Sequence, residues 1–210
     1  MVFTDSSGRA LTDYPRPSVA VDTAVLTVAD RRLQVVLVES DGELRLPGTF
    51  LHEGEVLADA VTRSLDEKAG ITGIDPVQLH VFDALGRDDR GWVLSVAHVA
   101  VVPMTALDPL PHLTPVDQAV GLRYDHDRIV RLAVDWLRDR YRATPDPDGL
   151  LREEFTLRDL QVLHEAVLGE PVMKDAFRRG MVDGLVETGR MSTGTVGKPA
   201  RLWRHRDSPR

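Results

Sequence analysis

Two short stretches in the first half of the chain carry residues suited to phosphate chemistry. The first is GTFLHEGEVLADAVTRSLDEKAGI, residues 48–71, with Glu55, Arg63, Glu67 and Lys68 at helical or near-helical spacing. Positions 64, 67 and 68 share one face of a helix. Carboxylates at all three would hold hard divalent cations through oxygen, and such ions would neutralise a diphosphate and activate water. The residues present are Ser64, Glu67 and Lys68. An ammonium at 68 can attract a phosphate but cannot generate a nucleophile. The second stretch is Arg87-Asp-Asp-Arg90-Gly91-Trp92. Two guanidiniums three residues apart could clamp phosphate oxygens. Gly91 lets backbone approach closely, and Trp92 offers a face to a base or cation. The plainer alternatives are an exposed helix face with an Arg63–Glu67 pair and a charged hairpin with Arg–Asp pairs.

A third group lies near the C-terminus. The stretch PVMKDAFRRGMV (171–182) reads as a helix that buries Met173, Ala176 and Phe177 and leaves Lys174, Arg178 and Arg179 outside. An apolar stripe for docking and a basic side for a major groove and its phosphates are what a recognition helix needs. The following hairpin adds Arg190, Lys198, Arg201 and Arg204. Charge is distributed to match. Residues 1–170 hold 17 basic and 29 acidic side chains, and residues 171–210 hold 9 and 4, so −12 and +5 make the net −7. The plainer alternative is a small protein-interaction module kept soluble by its cations.

These residues need elements to place them. Residues 1–17 are polar and carry Pro15 and Pro17, a loose start. Val19–Val28 and Arg32–Glu39 are β-branched and apolar and read as buried strands. Glu55–Ala69 reads as a helix with Leu57, Val61 and Leu65 on one stripe, stopped by Gly70. Gln78–Leu85 and Val93–Val102 read as strands around the Gly86–Trp92 loop. Pro103–Pro115 is proline-rich and reads as irregular. Asp127–Tyr141 is helical, with Ile129, Leu132, Ala133, Trp136 and Leu137 on one stripe. ATPDPDG (143–149) has linker composition. Thr156 and Asp159 form a capping box before a stripe of Leu157, Leu160, His164 and Val167 that Gly169 ends. His164 is expected in the core. Pro171 suits a first helical turn. Two short strands, Leu185–Thr188 and Ala200–His205, follow.

The chain of 210 residues has no cysteine, which removes disulfide scaffolds, thiolate metal sites and thiol nucleophiles. Apolar residues are 42% and charged residues 28%, a globular composition. No apolar run reaches membrane-span length and the first residues lack a signal-peptide pattern, so a cytoplasmic protein is expected, with no membrane partner. No P-loop, dinucleotide fingerprint or HExxH pair occurs.

The stretch 48–71 resembles the box of the Nudix pyrophosphohydrolases: Glu55, Arg63, Leu65, Glu67, Gly70 and Ile71 fall in register. It departs at Thr49, where the box has its first glycine, and at Ser64 and Lys68, where it has glutamates. A box ending in Glu-Lys, together with the RDxRGW loop, is similar to the NrtR family, the Nudix-related transcriptional regulators of NAD biosynthesis. The Phe-Arg-Arg and Gly-Lys-Pro-Ala segments at 177–179 and 197–200 fit that family too. The resemblance covers about residues 15–205. It implies an α/β fold: a Nudix-like mixed-sheet α/β/α sandwich followed by a winged helix-turn-helix. The expected division is 1–142 for the effector domain, 143–150 for the linker and 151–210 for the DNA-binding domain. It implies a DNA-binding regulator, a repressor in sign, of NAD synthesis or salvage genes that senses ADP-ribose or a related NAD-derived nucleotide. Expected effector-binding residues are Thr49, Phe50, Glu67, Lys68, Arg87, Arg90 and Trp92. Expected DNA-binding residues are Lys174, Arg178, Arg179, Arg190, Lys198 and Arg201. No catalytic residue, resident metal or required cofactor is expected. The expected partners are palindromic double-stranded operator DNA and a second copy of the chain as a homodimer. The alternative is an active ADP-ribose or nucleotide pyrophosphohydrolase.

Overall fold

The two β-branched runs pair as an antiparallel hairpin, β1 (Ser18–Ala29) with β2 (Arg32–Ser40). Asp30 and Arg31 form its two-residue turn, both in the left-handed region, with φ of 50° and 59°, the twist that tight hairpins prefer. In this computed structural model residues 3–108, 110–193 and 199–206 are described. β3 (Glu43–Arg45), β4 (Gly48–Phe50), β5 (Val77–Phe82), β6 (Val93–Val101) and β7 (His112–Pro115) complete a seven-stranded sheet. Its central order is β3-β2-β1-β6-β5, with β4 on β1 and β7 on β2. β1 and β6 run parallel and the other pairs antiparallel, so the sheet is mixed.

Side chains alternate across β1. Val21 and Val25 face α1 (Leu57–Ala69), with Ala60, Val61 and Leu65. Ala24 and Leu26 face α2 (His126–Ala143), with Ile129, Val130, Ala133 and Leu137. One helix covers each face, the expected α/β/α sandwich. α1 ends on Gly70, whose φ of 65° suits glycine.

The C-terminal part is a winged helix. α3 (Leu157–Leu168) and α4 (Lys174–Met181) pack on a three-stranded sheet of β8 (Phe155–Thr156), β9 (Leu185–Met191) and β10 (Arg201–His205), in the order β8-β10-β9. The capping box forms as expected: Thr156 Oγ1 accepts from the Asp159 N–H, and the Asp159 carboxylate accepts from the Thr156 N–H. A small core of Phe155, Leu160, Met181 and Leu185 holds this sheet to its helices.

Several expectations need correction. The proline-rich 103–115 segment contains β7, whose Leu113 and Thr114 pair with Val36 and Val35 of β2. Prolines at the ends of a short edge strand cost no ladder bond. α1 starts at Leu57, leaving Glu55 in the preceding loop. α4 starts at Lys174 and not at Pro171. Met173, its N-cap, is 81% exposed and Ala176 is exposed. Phe177 and Met181, four residues apart, dock the helix instead. The 194–198 part of the wing loop, including Lys198, lies outside the described residues.

The stretch with linker composition is packed in place. Asp146 is buried, and Pro145 sits so close to Gly184 that a Cβ there would meet its ring carbon at 2.8 Å. Leu150 and Leu151 pack on the same core as α2. That core also takes Leu163 and Val167 from α3. The N-terminal part of α2 thus covers the sheet and its C-terminal part packs on the winged helix, so the expected division at 142 runs through the last turn of a shared helix.

Candidate functional site

A cavity of about 430 Å³ opens between β1, the β2–β4 segment, the last turn of α1, the 87–90 loop and the start of α2. At its base lies Asp22, buried on β1. Its carboxylate accepts from Ser95 Oγ and, at 3.2 Å, from Nε2 of His126. The Leu46 N–H donates to His126 Nδ1 at 3.0 Å, which leaves the ring proton on Nε2, facing Asp22. Burial opposes ionisation of Asp22, but the His126 and Ser95 bonds and nearby Arg87 outweigh it and hold the carboxyl below its usual range. Gly48 passes directly over this carboxylate. A Cβ there would lie 1.9 Å from Asp22 Oδ1 and 2.9 Å from the Val21 carbonyl, so only glycine fits.

The cations around the cavity are nearly all engaged. Lys68 Nζ donates to the Gly48 carbonyl, and burial lowers its pKa below the usual lysine value. The Arg87 side chain is 3% exposed and bonds Asp125 Oδ2 at 3.1 Å and the Tyr124 carbonyl at 2.7 Å. It braces the start of α2. Arg90 grips Asp88 with two bonds, at 2.8 and 2.7 Å, and lies 5.0 Å from the centre of the Phe50 ring and 4.7 Å from that of Tyr124. The Arg90 bonds in turn hold the Asp88 carboxyl low. Two guanidiniums free to clamp phosphate, the reading of RDDRGW as isolated residues, is therefore not what forms. The two arginines are paired with carboxylates, and Arg90 is stacked against aromatic rings. Thr49, Phe50, Glu67, Lys68, Arg87 and Arg90 all line the cavity, whereas Trp92 does not and is 49% exposed.

Arg63 anchors the other end of the box. It bonds both oxygens of Glu55 at 2.9 Å, the Phe50 carbonyl at 3.0 Å and Thr49 Oγ1 at 3.2 Å. Its contact with Glu67 is looser, 3.9 Å. The Arg63 bonds and the His52 N–H draw the Glu55 pKa down to about 2. Ser64 is fully buried, and its hydroxyl has no partner among the described residues.

The winged helix presents the opposite arrangement. Lys174, Arg178 and Arg179 are exposed on α4 and make no ion pair with any described residue. On the hairpin, Arg190 bonds Glu154 at 3.0 Å and Arg201 bonds Glu187 at 2.9 Å. The α4 cations are open to an anion, and the two hairpin arginines would have to leave a carboxylate to reach one.

Comparison with known proteins bears on both places. Residues 149–205 match the NrtR DNA-binding winged helix domain. The chain is 33% identical to the ADPR responsive transcriptional repressor NtrR of Acinetobacter baylyi, over 91% of this chain and 83% of that one. The chain belongs to the NrtR family. Shewanella oneidensis NrtR, solved in complex with a 27mer DNA, superposes with a TM-score of 0.74 at 30% identity, over 90% of this chain and 93% of that chain. The NUDIX domain of the same protein, solved in complex with ADP ribose, superposes at 0.55 with 25% identity, over 62% and 95%.

A Nudix ancestry raises the question of a divalent cation, and the residues of this NrtR-family chain do not fit one. Of the three box positions on α1, one is the buried Ser64 hydroxyl and one is the Lys68 ammonium seated on a carbonyl. Glu67 is the one carboxylate of the three, and Glu55 is committed to Arg63. A hard dication needs several oxygen ligands and no adjacent cation. Reading by motif also missed pocket residues. Asp22, Arg45, Tyr124 and His126 line the cavity, and Arg45 Nε is buried there without a partner among the described residues. None sits in a patterned motif: Asp22 and His126 are 104 residues apart and meet only through the fold.

Proposed function

We propose that this chain is a DNA-binding transcriptional repressor responsive to ADP-ribose or a related NAD-derived nucleotide, acting in the cytoplasm on genes of NAD synthesis or salvage. Membership of the NrtR family supports the regulator reading. The observation that carries it is the contrast in partners: Lys68 lies tied down in the cavity where a hydrolase needs a carboxylate, while Lys174, Arg178 and Arg179 on α4 make no ion pair among the described residues. A nucleotide held in the cavity lies against Phe50 and Tyr124 with Lys68 and Arg45 nearest its phosphates, and Arg90 must leave Asp88 and the two rings before it can join them. The chain binds it without cleaving it and requires no cofactor. α4 enters the major groove, its cations hold phosphates or base edges, and two copies of the chain read a palindrome with half-sites about 10 bp apart or a multiple. The effector acts only if it prefers one arrangement of the DNA-binding parts over another. Genome-wide footprinting with and without ADP-ribose tests the whole reading. Sites upstream of NAD genes whose protection changes with ADP-ribose are the expected result. Protection that ignores the nucleotide, or nucleotide hydrolysis with Mg²⁺ at an enzyme's rate, would overturn it.

A further inference from the structure

The cavity and the DNA-facing helix are joined by one rod. α2 begins at His126, which lines the cavity and touches Asp22, with Asp125 just before it braced by Arg87. It runs for 18 residues and its last turns pack on the winged helix, so it is about 27 Å long. Its buried stripe of Ile129, Val130, Ala133, Val134, Leu137 and Tyr141 leaves it no freedom to shift alone.

What receives the far end is Asp146. This residue is 2% exposed and has a φ of 40°, a left-handed conformation that aspartate tolerates when its side chain bonds nearby backbone. Oδ1 accepts from the Tyr141 hydroxyl of α2 and from the Leu150 N–H, each at 2.8 Å. Oδ2 accepts from the Leu151 N–H at 2.9 Å and lies 3.8 Å from His205 Nε2 on β10. The Asp146 N–H donates to His164 Nε2 of α3 at 3.4 Å. The His164 ring in turn lies 4.9 Å from Tyr141 on one side and 4.9 Å from Phe177 of α4 on the other. One buried residue thus meets the effector-side helix and the wing through its carboxylate, at Tyr141 and His205, and the first helix of the winged helix through its backbone N–H, at His164. Flexible linkers do not have this.

We propose that Asp146 is the positioning residue that makes α4 and the wing follow α2, so that occupancy of the cavity reaches the operator through the contacts of Tyr141, Asp146, His164 and Phe177. The inference rests on the effector reading above and deepens it by naming where the coupling passes. Coupling between two sites requires an element with two arrangements that both ligands bias. α2 is the element through which the two would act: packed along its whole length, it can rotate only together with the core around it, and a rotation at His126 then reaches Tyr141.

The test uses the full chain with Tyr141→Phe, which removes one hydroxyl, and Asp146→Asn, which keeps the shape and removes the charge. For each, three quantities are measured: affinity for ADP-ribose without DNA, affinity for a selected operator duplex, and the ratio of operator affinities with and without saturating ADP-ribose. In both variants the ratio is expected to collapse toward one, with each separate affinity within about threefold of the parent. A merely structural role would lower the separate affinities or the melting temperature and leave the ratio at the parent value, and that result would overturn the proposal. Should Asp146→Asn fold poorly, Tyr141→Phe decides alone, since it loses a single hydrogen bond. A parent ratio of one is a different failure: it removes the effector reading itself, and the coupling with it.

Discussion

The cavity and the outer face of α4 are both rich in cations, and they use them in opposite ways. Around the cavity each of Arg63, Arg87 and Arg90 already faces a carboxylate, and Lys68 a carbonyl. On α4 the cations face water. The cavity therefore resembles a finished, pre-organised interior, in which few charges move when a ligand arrives. The helix face resembles half of an ion pair whose other half is supplied by a polyanion. Residue type alone cannot distinguish the two cases. What distinguishes them is whether aspartates and glutamates are folded against the same surface.

Protonation gives the largest expected effect on the paired, buried side. His164 is fully buried, and burial lowers its pKa from 6.5 to about 4. As pH falls from 6.5 toward 4 the unfolded chain takes up a proton that the folded chain refuses. Stability should fall across that window by up to about 3 kcal/mol and show no further loss from this residue below it. Urea midpoints at pH 7 and pH 4.5, compared between the parent and His164→Leu, check this: the difference attributable to the ring should shrink as the variant escapes the penalty. An identical pH dependence in both would contradict it.

Gly48→Ala is next. Its Cβ cannot coexist with the Asp22 carboxylate and the Val21 carbonyl as they stand, and forced overpacking costs about 1–3 kcal/mol. ADP-ribose affinity by calorimetry should drop about 10- to 100-fold, while operator affinity without nucleotide stays within a few-fold. Equal losses of both would erase the distinction between the two regions.

The open side is tested by salt. Arg178→Ala should weaken operator binding by about 1–3 kcal/mol if the side chain reads a base. If Lys174, Arg178 or Arg179 holds a phosphate, its alanine variant should lower the slope of log affinity against log salt by about 0.9. An unchanged affinity and slope would remove that residue from the interface. Arg201→Ala should be the smallest change. Its guanidinium bonds Glu187 at 2.9 Å on an exposed hairpin, so leaving for DNA forfeits that pair, and an effect under about 1 kcal/mol is expected. A loss at Arg201 as large as at Arg178 would break the comparison.

The parts of this arrangement that repeat or follow a fixed spacing were legible in the sequence. The β-branched runs, the α1 stripe and the Thr156–Asp159 box stand where spacing places them, whereas the α2 stripe is turned from the expected one: Leu132 is exposed and Trp136 only partly buried, and Val130, Val134 and Tyr141 join Ile129, Ala133 and Leu137 on the buried face. Long-range partnerships were not. Nothing near Asp22 announces His126, and nothing in RDDRGW says that Arg87 turns to Asp125 and not to a ligand. The segment 143–150 misled for a physical reason: proline and aspartate are used both in loose linkers and in tight turns, where an aspartate caps nearby N–H groups as Asp146 does for Leu150 and Leu151. Met173 and Ala176 misled because a helix of eight residues needs only Phe177 and Met181 to dock.

The central claim is that a nucleotide held in the cavity, and left intact, alters grip on DNA. The direct measurement is titration of a selected operator duplex at fixed salt, with and without saturating ADP-ribose, followed by recovery of the nucleotide from the same tube. A change in operator Kd of about fivefold or more, with the ADP-ribose recovered whole, is the result this account predicts. An unchanged Kd, or AMP and ribose phosphate accumulating at an enzyme's pace, would contradict it.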